Sequence, residues 1–299
     1  MARPRTIVGI GEALFDIFPD SERLGGAPLN FAVHAHQLGN EGVMITRIGQ
    51  DRLGEQIVDE LRRREMTLDH VQSDPDHATG TVVIDFDADR EPVYQITPGA
   101  AWDHLQWDGD LDHLAVQADA VCFGTLAQRA AQARNNIIRF LEASSRGLRL
   151  LDVNLRESFY DRRIISRSLE LADAVKLNQT ELTRIGQLLS LGEDPDAIAA
   201  AMIGRYKLDW LAVTAAEQGM AVHTPDGRKY TGQAHPATGE EGDPVGAGDA
   251  AAAALVHGVI RRWPWDRIIT FANAVGGHVA SQPGACPDLP DELKQQAQA

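Results

Sequence analysis

The chain has 299 residues, 43% of them apolar and 24% charged, with a formal net charge of −15, enough apolar material for a full-sized core in one or two domains. So acidic a chain is not a general binder of nucleic acid or of anionic membranes, although a small anion in a local pocket stays open. With no signal-like leader and no run of about eighteen apolar residues, it reads as a cytoplasmic protein with neither nucleic acid nor a membrane as partner.

In chain order, apolar runs at 6–11 (TIVGIG), 42–49, 120–124, 148–154, 174–178 and 210–214 read as buried strands. They lack polar alternation, as strands covered on both faces do. Helical patterns fall around 28–38, 51–64, 128–144, 161–171, 179–190, 195–206, 247–261 and 265–280. The alternation predicts an α/β fold, a doubly wound, mostly parallel sheet flanked by helices. Two segments break the rhythm. Residues 12–18 continue extended from the first strand, and 81–96 read as a hairpin with Val82, Ile84 and Phe86 on one face. They predict a small β-sheet contributed by about 12–24 and 78–98, within a single domain spanning 1–299. Asp85, Asp87 and Asp89 only faintly resemble a calcium loop, because Arg90 and Ile96 stand where Gly and Glu belong. The last dozen residues read as a frayed tail. Cys122 and Cys286 form no CxxC pair and read as reduced structural thiols.

Several nucleotide and metal signatures are missing. There is no GxxxxGK[ST] and no HExxH, and GIGEAL at 9–14 has Leu14 in place of the third glycine of a dinucleotide loop. The informative stretch is DPVGAGDAAAAAL at 243–255. Gly246, Ala247 and Gly248 open a helix whose first N–H groups lack partners and carry partial positive charge. Such a terminus receives phosphate oxygens, and glycine lets a ligand approach the backbone. Asp249 then has two readings: a charge that suits the helix dipole, or a general base beside an anion hole.

Taken together, DPVGAGD (243–249), GGAPLNFAVHAHQLG (25–39), RIGQDRLGEQI (47–57), DVNLR (152–156), NQTE (178–181), VTAAEQG (213–219) and FANAVGGHVASQPGACPDLP (271–290) resemble the ribokinase-like (PfkB) carbohydrate kinases, in the family's order and along essentially the whole chain. The resemblance implies a β lid closing over a sugar, ATP and Mg²⁺ as cofactors, and transfer of phosphate to a sugar hydroxyl. It assigns Asp249 as the base and Gly246, Ala247 and Gly248 as the anion hole. Asp16, Gly25, Gly26, Asn30 and Arg156 would meet the sugar. Asn178, Thr214, Gly219, Gly248 and Asn273 would meet the nucleotide. Glu181 would organise Mg²⁺ through water, and its spacing from Asn178 also fits a capping box. A K⁺ site would use Asp243, Val245, Val279, Gln282, Gly284 and Asp288.

Three positions depart from the family pattern: Pro244 for its usual Thr, Ala216 for a common Gly, and Ala251 for a frequent aromatic. Within the family, GEALFDIFPD and DVNLR look most like fructokinases, so fructose is the expected substrate. A nucleoside or riboside kinase remains open, with Phe15, Phe18, Phe86 and Tyr94 as a shelf for the base. So does a catalytically silent sugar-binding protein. A homodimer through the exposed edges of the lid is compatible with the pattern.

Overall fold

The computed structural model describes residues 4–86, 92–235 and 242–299. Among the described residues, thirteen strands and ten α-helices make up two sheets and their covering layers. Chain order runs β1 (Thr6–Ile10), β2 (Leu14–Ile17), β3 (Glu22–Gly25), α1 (Ala27–Gln37), β4 (Glu41–Gly49), α2 (Arg52–Arg63), β5 (Val71–Asp74), β6 (Gly80–Phe86), β7 (Pro92–Ile96) and α3 (Gly109–Gln117). It continues through β8 (Ala120–Phe123), α4 (Ala131–Ala143), β9 (Leu148–Asp152), α5 (Arg162–Leu171), β10 (Ala174–Asn178), α6 (Gln179–Leu189), α7 (Pro195–Tyr206), β11 (Trp210–Thr214), β12 (Met220–His223), β13 (Lys229–Gly232), α8 (Ala247–Ile260), α9 (Trp265–Ala280) and α10 (Asp291–Gln298).

The large sheet has the order β13-β12-β11-β10-β9-β8-β1-β4-β5. From β11 to β5 every pairing is parallel, while β12 and β13 join antiparallel at one edge. Its strands are apolar at successive positions because both faces are covered. Val8, Val121, Leu151, Val175 and Leu211 pack with α3 to α7, whereas Ile7, Ala120, Leu150, Ala174 and Ala212 pack with α8 and α9. The small sheet side chains on the second face match the fully buried alanines 250, 252, 253 and 254 of α8, which let helix and sheet approach closely.

The second sheet, β3-β2-β6-β7, comes from the two segments that broke the sequence rhythm. Val82 and Ile84 of the expected hairpin are buried as one face, and β6 pairs β7 antiparallel. The Phe86 and Tyr94 side chains and the Asp85–Asp87–Asp89 triplet lie outside the described residues.

The expected strands and helices recur with shifted ends; α4 begins at Ala131 because 126–128 form a separate 3₁₀ turn. The C-terminal segment corrects the expectation of a frayed tail. It is α10, tied down because Leu293 and Ala297 are buried against α8 and α9 and the His257 ring nitrogen meets the Ala297 carbonyl at 2.9 Å. Among the described residues no helix is long and apolar enough to cross a membrane.

Candidate active site

From β1 the chain moves to β4 and β5 on one side, then returns through β8 to β11 on the other. In a doubly wound sheet the crevice at that reversal, beyond the carboxyl ends of the strands, is where ligands bind. Glu12 and Asp16 follow β1, Asp152 ends β9, Asn178 ends β10 and Thr214 ends β11, so the chemistry-bearing residues gather along one edge. A cavity of about 990 Å³ at the opposite edge, lined by Arg5, Asp119, Arg146 and Arg261, includes none of them.

Helix α8 starts on Gly246, whose φ of 79° is left-handed. A Cβ there would collide with the Ala285 backbone, so glycine is required by both conformation and space. The first intrahelical bond is Ala250 N–H to Gly246 C=O at 2.9 Å. The Ala247 N–H turns back to the Pro244 carbonyl at a long 3.3 Å, and those of Gly248 and Asp249 have no acceptor among the described residues. Gly248 and Asp249 therefore present the freest amides.

Asp249 is half-buried in the first turn and accepts from Asn30 Nδ2 at 2.8 Å. Asn30 is itself 3% exposed and receives the Cys286 thiol on its Oδ1 at 3.1 Å, which fixes which end of the amide faces Asp249. Desolvation, with the nearby Asp152 charge second, pushes the Asp249 carboxyl up to about 6, against Lys176, Asn30 and Arg156. A carboxyl so placed can take a proton near neutrality.

On the expected sugar side, Asp16 lies on β2 opposite Arg23 of β3. Burial pushes its carboxyl up to about 6, opposed by the charge of Arg156. A Cβ on Gly25 would stand 3.1 Å from Asp16 Oδ2, and one on Gly26 (φ 109°) would stand 2.5 Å from the Glu12 carbonyl. Both glycines thus keep space open beside the acids. Arg156 is exposed, has no ion pair among the described residues, and acts on Glu12, Asp16 and Asp249 together. It lies between two left-handed non-glycine positions in the loop after β9, Asn154 (φ 39°) before it and Glu157 (φ 45°) after it.

On the expected nucleotide side, Asn178 and Glu181 form the capping box. Glu181 N–H donates to Asn178 Oδ1 and Asn178 N–H to Glu181 Oε2, both at 2.8 Å. Glu181 Oε1 also accepts from the Leu155 N–H at 2.8 Å. With both oxygens engaged by backbone, this carboxylate suits a water-mediated Mg²⁺ better than direct ligation. No cluster of three or more acidic, His or Cys side chains could cage a metal among the described residues. Thr214 reaches the Leu177 carbonyl only at 3.4 Å. Gly219 has φ 84° and would meet the Gly232 carbonyl with any side chain. Asn273 is buried and its Nδ2 has no partner, which fits an amide awaiting an acceptor on a purine ring. That orphan and the free helix-end amides match ATP.

The K⁺ residues match less closely. Asp243 already holds the Arg23 guanidinium, and Asp288, 69% exposed, pairs with Arg64 at 3.3 Å. Val279 C=O accepts from Gln282 N–H at 3.0 Å. A cation at Asp243 would compete with a built-in positive charge.

Sequence reading missed three groups here. Glu12, 3% exposed, has an unpartnered Oε2 and is raised to about 7 by burial. Lys176 and Asp152 form a buried ion pair with Nζ–O distances of 3.0 and 2.9 Å. A lysine inside the otherwise apolar strand AVKLN was the available signal.

A raised carboxyl beside unpaired amides is the chemistry that deprotonating an alcohol and steadying an anion calls for, and with this fold it points to a small-molecule kinase of ribokinase-like architecture. The pattern described as pfkB family carbohydrate kinase matches residues 18–292, and the chain belongs to that family, as an ATP-dependent carbohydrate kinase. It is 29% identical to the fructokinase of Klebsiella pneumoniae over 96% of this chain and 97% of that protein. In structure it resembles a fructokinase with bound ATP from Xylella fastidiosa (TM-score 0.83, 21% identity, 98% of each chain). It also resembles a Burkholderia thailandensis nucleoside kinase in complex with inosine (TM-score 0.77, 19% identity, 98% of this chain and 96% of that one).

Proposed function

We propose that this cytoplasmic enzyme phosphorylates fructose, giving fructose 6-phosphate. The observation that carries the reading is Asp249, aimed by Asn30, beside the unpaired amides that open α8. Asp249 takes the proton of the acceptor hydroxyl as that oxygen attacks the terminal phosphoryl group of ATP and the bond from that phosphorus to the bridging oxygen breaks, releasing ADP. The Gly248 and Asp249 amides, with Gly246 and Ala247 shaping the turn, receive the charge that develops. One such donor contributes about 10²–10³-fold in rate. Asp16 and Arg156 bind hydroxyls beside Gly25 and Gly26, and Asn30 keeps a second amide hydrogen for the sugar. Asn178, Thr214, Gly219 and Asn273 bind the nucleotide. Glu181 would hold Mg²⁺ through water, and the ion would supply neutralisation of the phosphate charge.

The second sheet acts as the lid of a single domain, and its edge strands β3 and β7, each with one neighbour, are where a homodimer forms. Fructose is favoured over a nucleoside by the two shelf aromatics that fall within the described residues, Phe15 and Phe18. Phe15 is 5% exposed in the core, and Phe18 lies under the Arg23 guanidinium, 5.0 Å from its ring centre. Neither is free to stack on a base. Purified protein with MgATP and a panel of ketoses, aldoses and nucleosides tests this. ADP release with fructose is expected; release with nucleosides alone transfers the reading to a nucleoside kinase, and no release with any acceptor makes the protein a silent binder.

A further inference from the structure

Lys176 stands in the ladder opposite Asp152, its register partner on the adjacent parallel strand. The two side chains are only 8% and 6% exposed, and the ammonium reaches both carboxylate oxygens. A Cβ on Gly248 would stand 3.2 Å from Lys176 Nζ, so the charge lies immediately under the turn that carries the free amides. Burying such a pair carries a large desolvation cost for each ion, and well-packed apolar residues would serve stability as well. The location, more than the stability, explains a pair at this spot. Asp152 and Asp249 are two carboxylates facing one site, and like charges so close share a proton unless a cation separates them.

We propose that Lys176 is a positioning residue: its ammonium, clamped by Asp152 beneath Gly248, lets Asp152 and Asp249 carry charge side by side and backs the phosphate-facing amides with fixed positive charge. The inference rests on the reading of Asp249 as the base. The groups that face Asp249 are Asn30 from α1, Asp152 from β9, Arg156 from the loop after β9, Lys176 from β10, Glu12 after β1, Cys122 of β8 and Cys286 from the C-terminal segment. Of these, only Lys176 is a buried cation. Lys176 itself is drawn down by burial but held above its ordinary range by Asp152 and Asp249.

The two partners of one ion pair then act on the base with opposite sign, which a loss of packing alone would not produce. The test is kcat/KM for the sugar against pH, at saturating MgATP, in the full-length protein. Lys176→Met is expected to move the acid limb upward by about one unit or more. Asp152→Asn is expected to move it downward, and Lys176→Arg to leave it near wild type even if kcat falls. Limbs that coincide, or that shift in the same direction for Lys176→Met and Asp152→Asn, overturn the proposal. Should Lys176→Met not fold, Asp152→Asn decides alone, and an unmoved limb overturns it. Asp249→Asn separates the two levels. If it is inactive while the limbs stay fixed, only the Lys176 inference fails; if it keeps wild-type kcat, the base reading fails and the inference with it.

Discussion

At the scale of single residues, the site depends on where a few groups are held away from their ordinary state. Asp249 must be ionised to accept a proton, and its carboxyl is raised to about 6, chiefly by desolvation. Turnover is therefore full above that value and falls as pH drops through it, about tenfold per unit below. A pH profile with no acid limb between about 5 and 7 would remove this role. Asp249→Asn keeps the Asn30 contact but cannot take the proton, so kcat falls by at least ~10²-fold with little change in sugar binding by calorimetry. Ala216 gives a second, independent prediction. It has φ 43°, a left-handed conformation that costs an L-residue about 1–2 kcal/mol, in the turn between β11 and β12. Ala216→Gly removes that strain and returns about 0.5–1 kcal/mol through the freer unfolded chain. The net expectation is stabilisation of up to about 1 kcal/mol, read as a higher Tm, together with a lower KM for ATP. A lower Tm would show that the surrounding turn has adapted to the methyl group.

At the scale of elements, the second sheet is tied to the loop before α8 by the Arg23–Asp243 ion pair, with Asp243 the more buried partner. Stacking on Phe18 holds the guanidinium in place. K⁺ entering at Asp243 must displace it. Wild-type turnover is thus expected to respond weakly to K⁺, and Arg23→Ala several-fold more. Initial rates in K⁺ against tetramethylammonium measure this, and equal responses of the two proteins would sink it. Six parallel strands of the large sheet, β1, β4 and β8 to β11, were legible because strands covered on both faces read as plain apolar runs, whereas β5, VQSD with one buried residue, gave no such run. The antiparallel edge was not, because β13 alternates exposed and half-buried residues over only four positions, with no core face to mark it. Helix α10 was hidden for a related reason: only Leu293 and Ala297 are buried in it, and their docking surface belongs to α8 and α9. In the site, the glycines and Asp249 stood out by local spacing. Lys176, Asp152 and Glu12 meet only through strand pairing and the edge of the sheet, which no linear spacing encodes.

At the scale of the whole molecule, the cleft sets function against stability. Glu12, Asp16 and Asp249 are all raised, to about 7, 6 and 6, with burial the largest cause in each. A group whose folded value lies above its unfolded one contributes stability that is complete below the unfolded value and is lost as pH rises through the folded one. These three acids therefore weaken the fold progressively from about pH 4 to pH 7. Two buried histidines act oppositely. His34 and His257 are lowered to about 4, mainly by burial, so they take stability away as pH falls from their ordinary range toward that value. The two sets act in opposite directions over the same pH range, so a wild-type Tm profile alone isolates neither. A single neutral substitution breaks the balance. Glu12→Gln removes the charge that the fold resists at pH 8 but changes no charge at pH 5, where Glu12 is protonated in the native state. The Tm difference between variant and wild type is expected to be more positive at pH 8 than at pH 5 by several degrees, corresponding to roughly 1–3 kcal/mol. A difference that is the same at both pH values would mean that the Glu12 carboxyl is solvated and ionised at ordinary cost. The crevice beside Asp249 would then be wetter than its buried walls imply, and the case for a carboxyl tuned to accept a proton near neutrality would weaken with it.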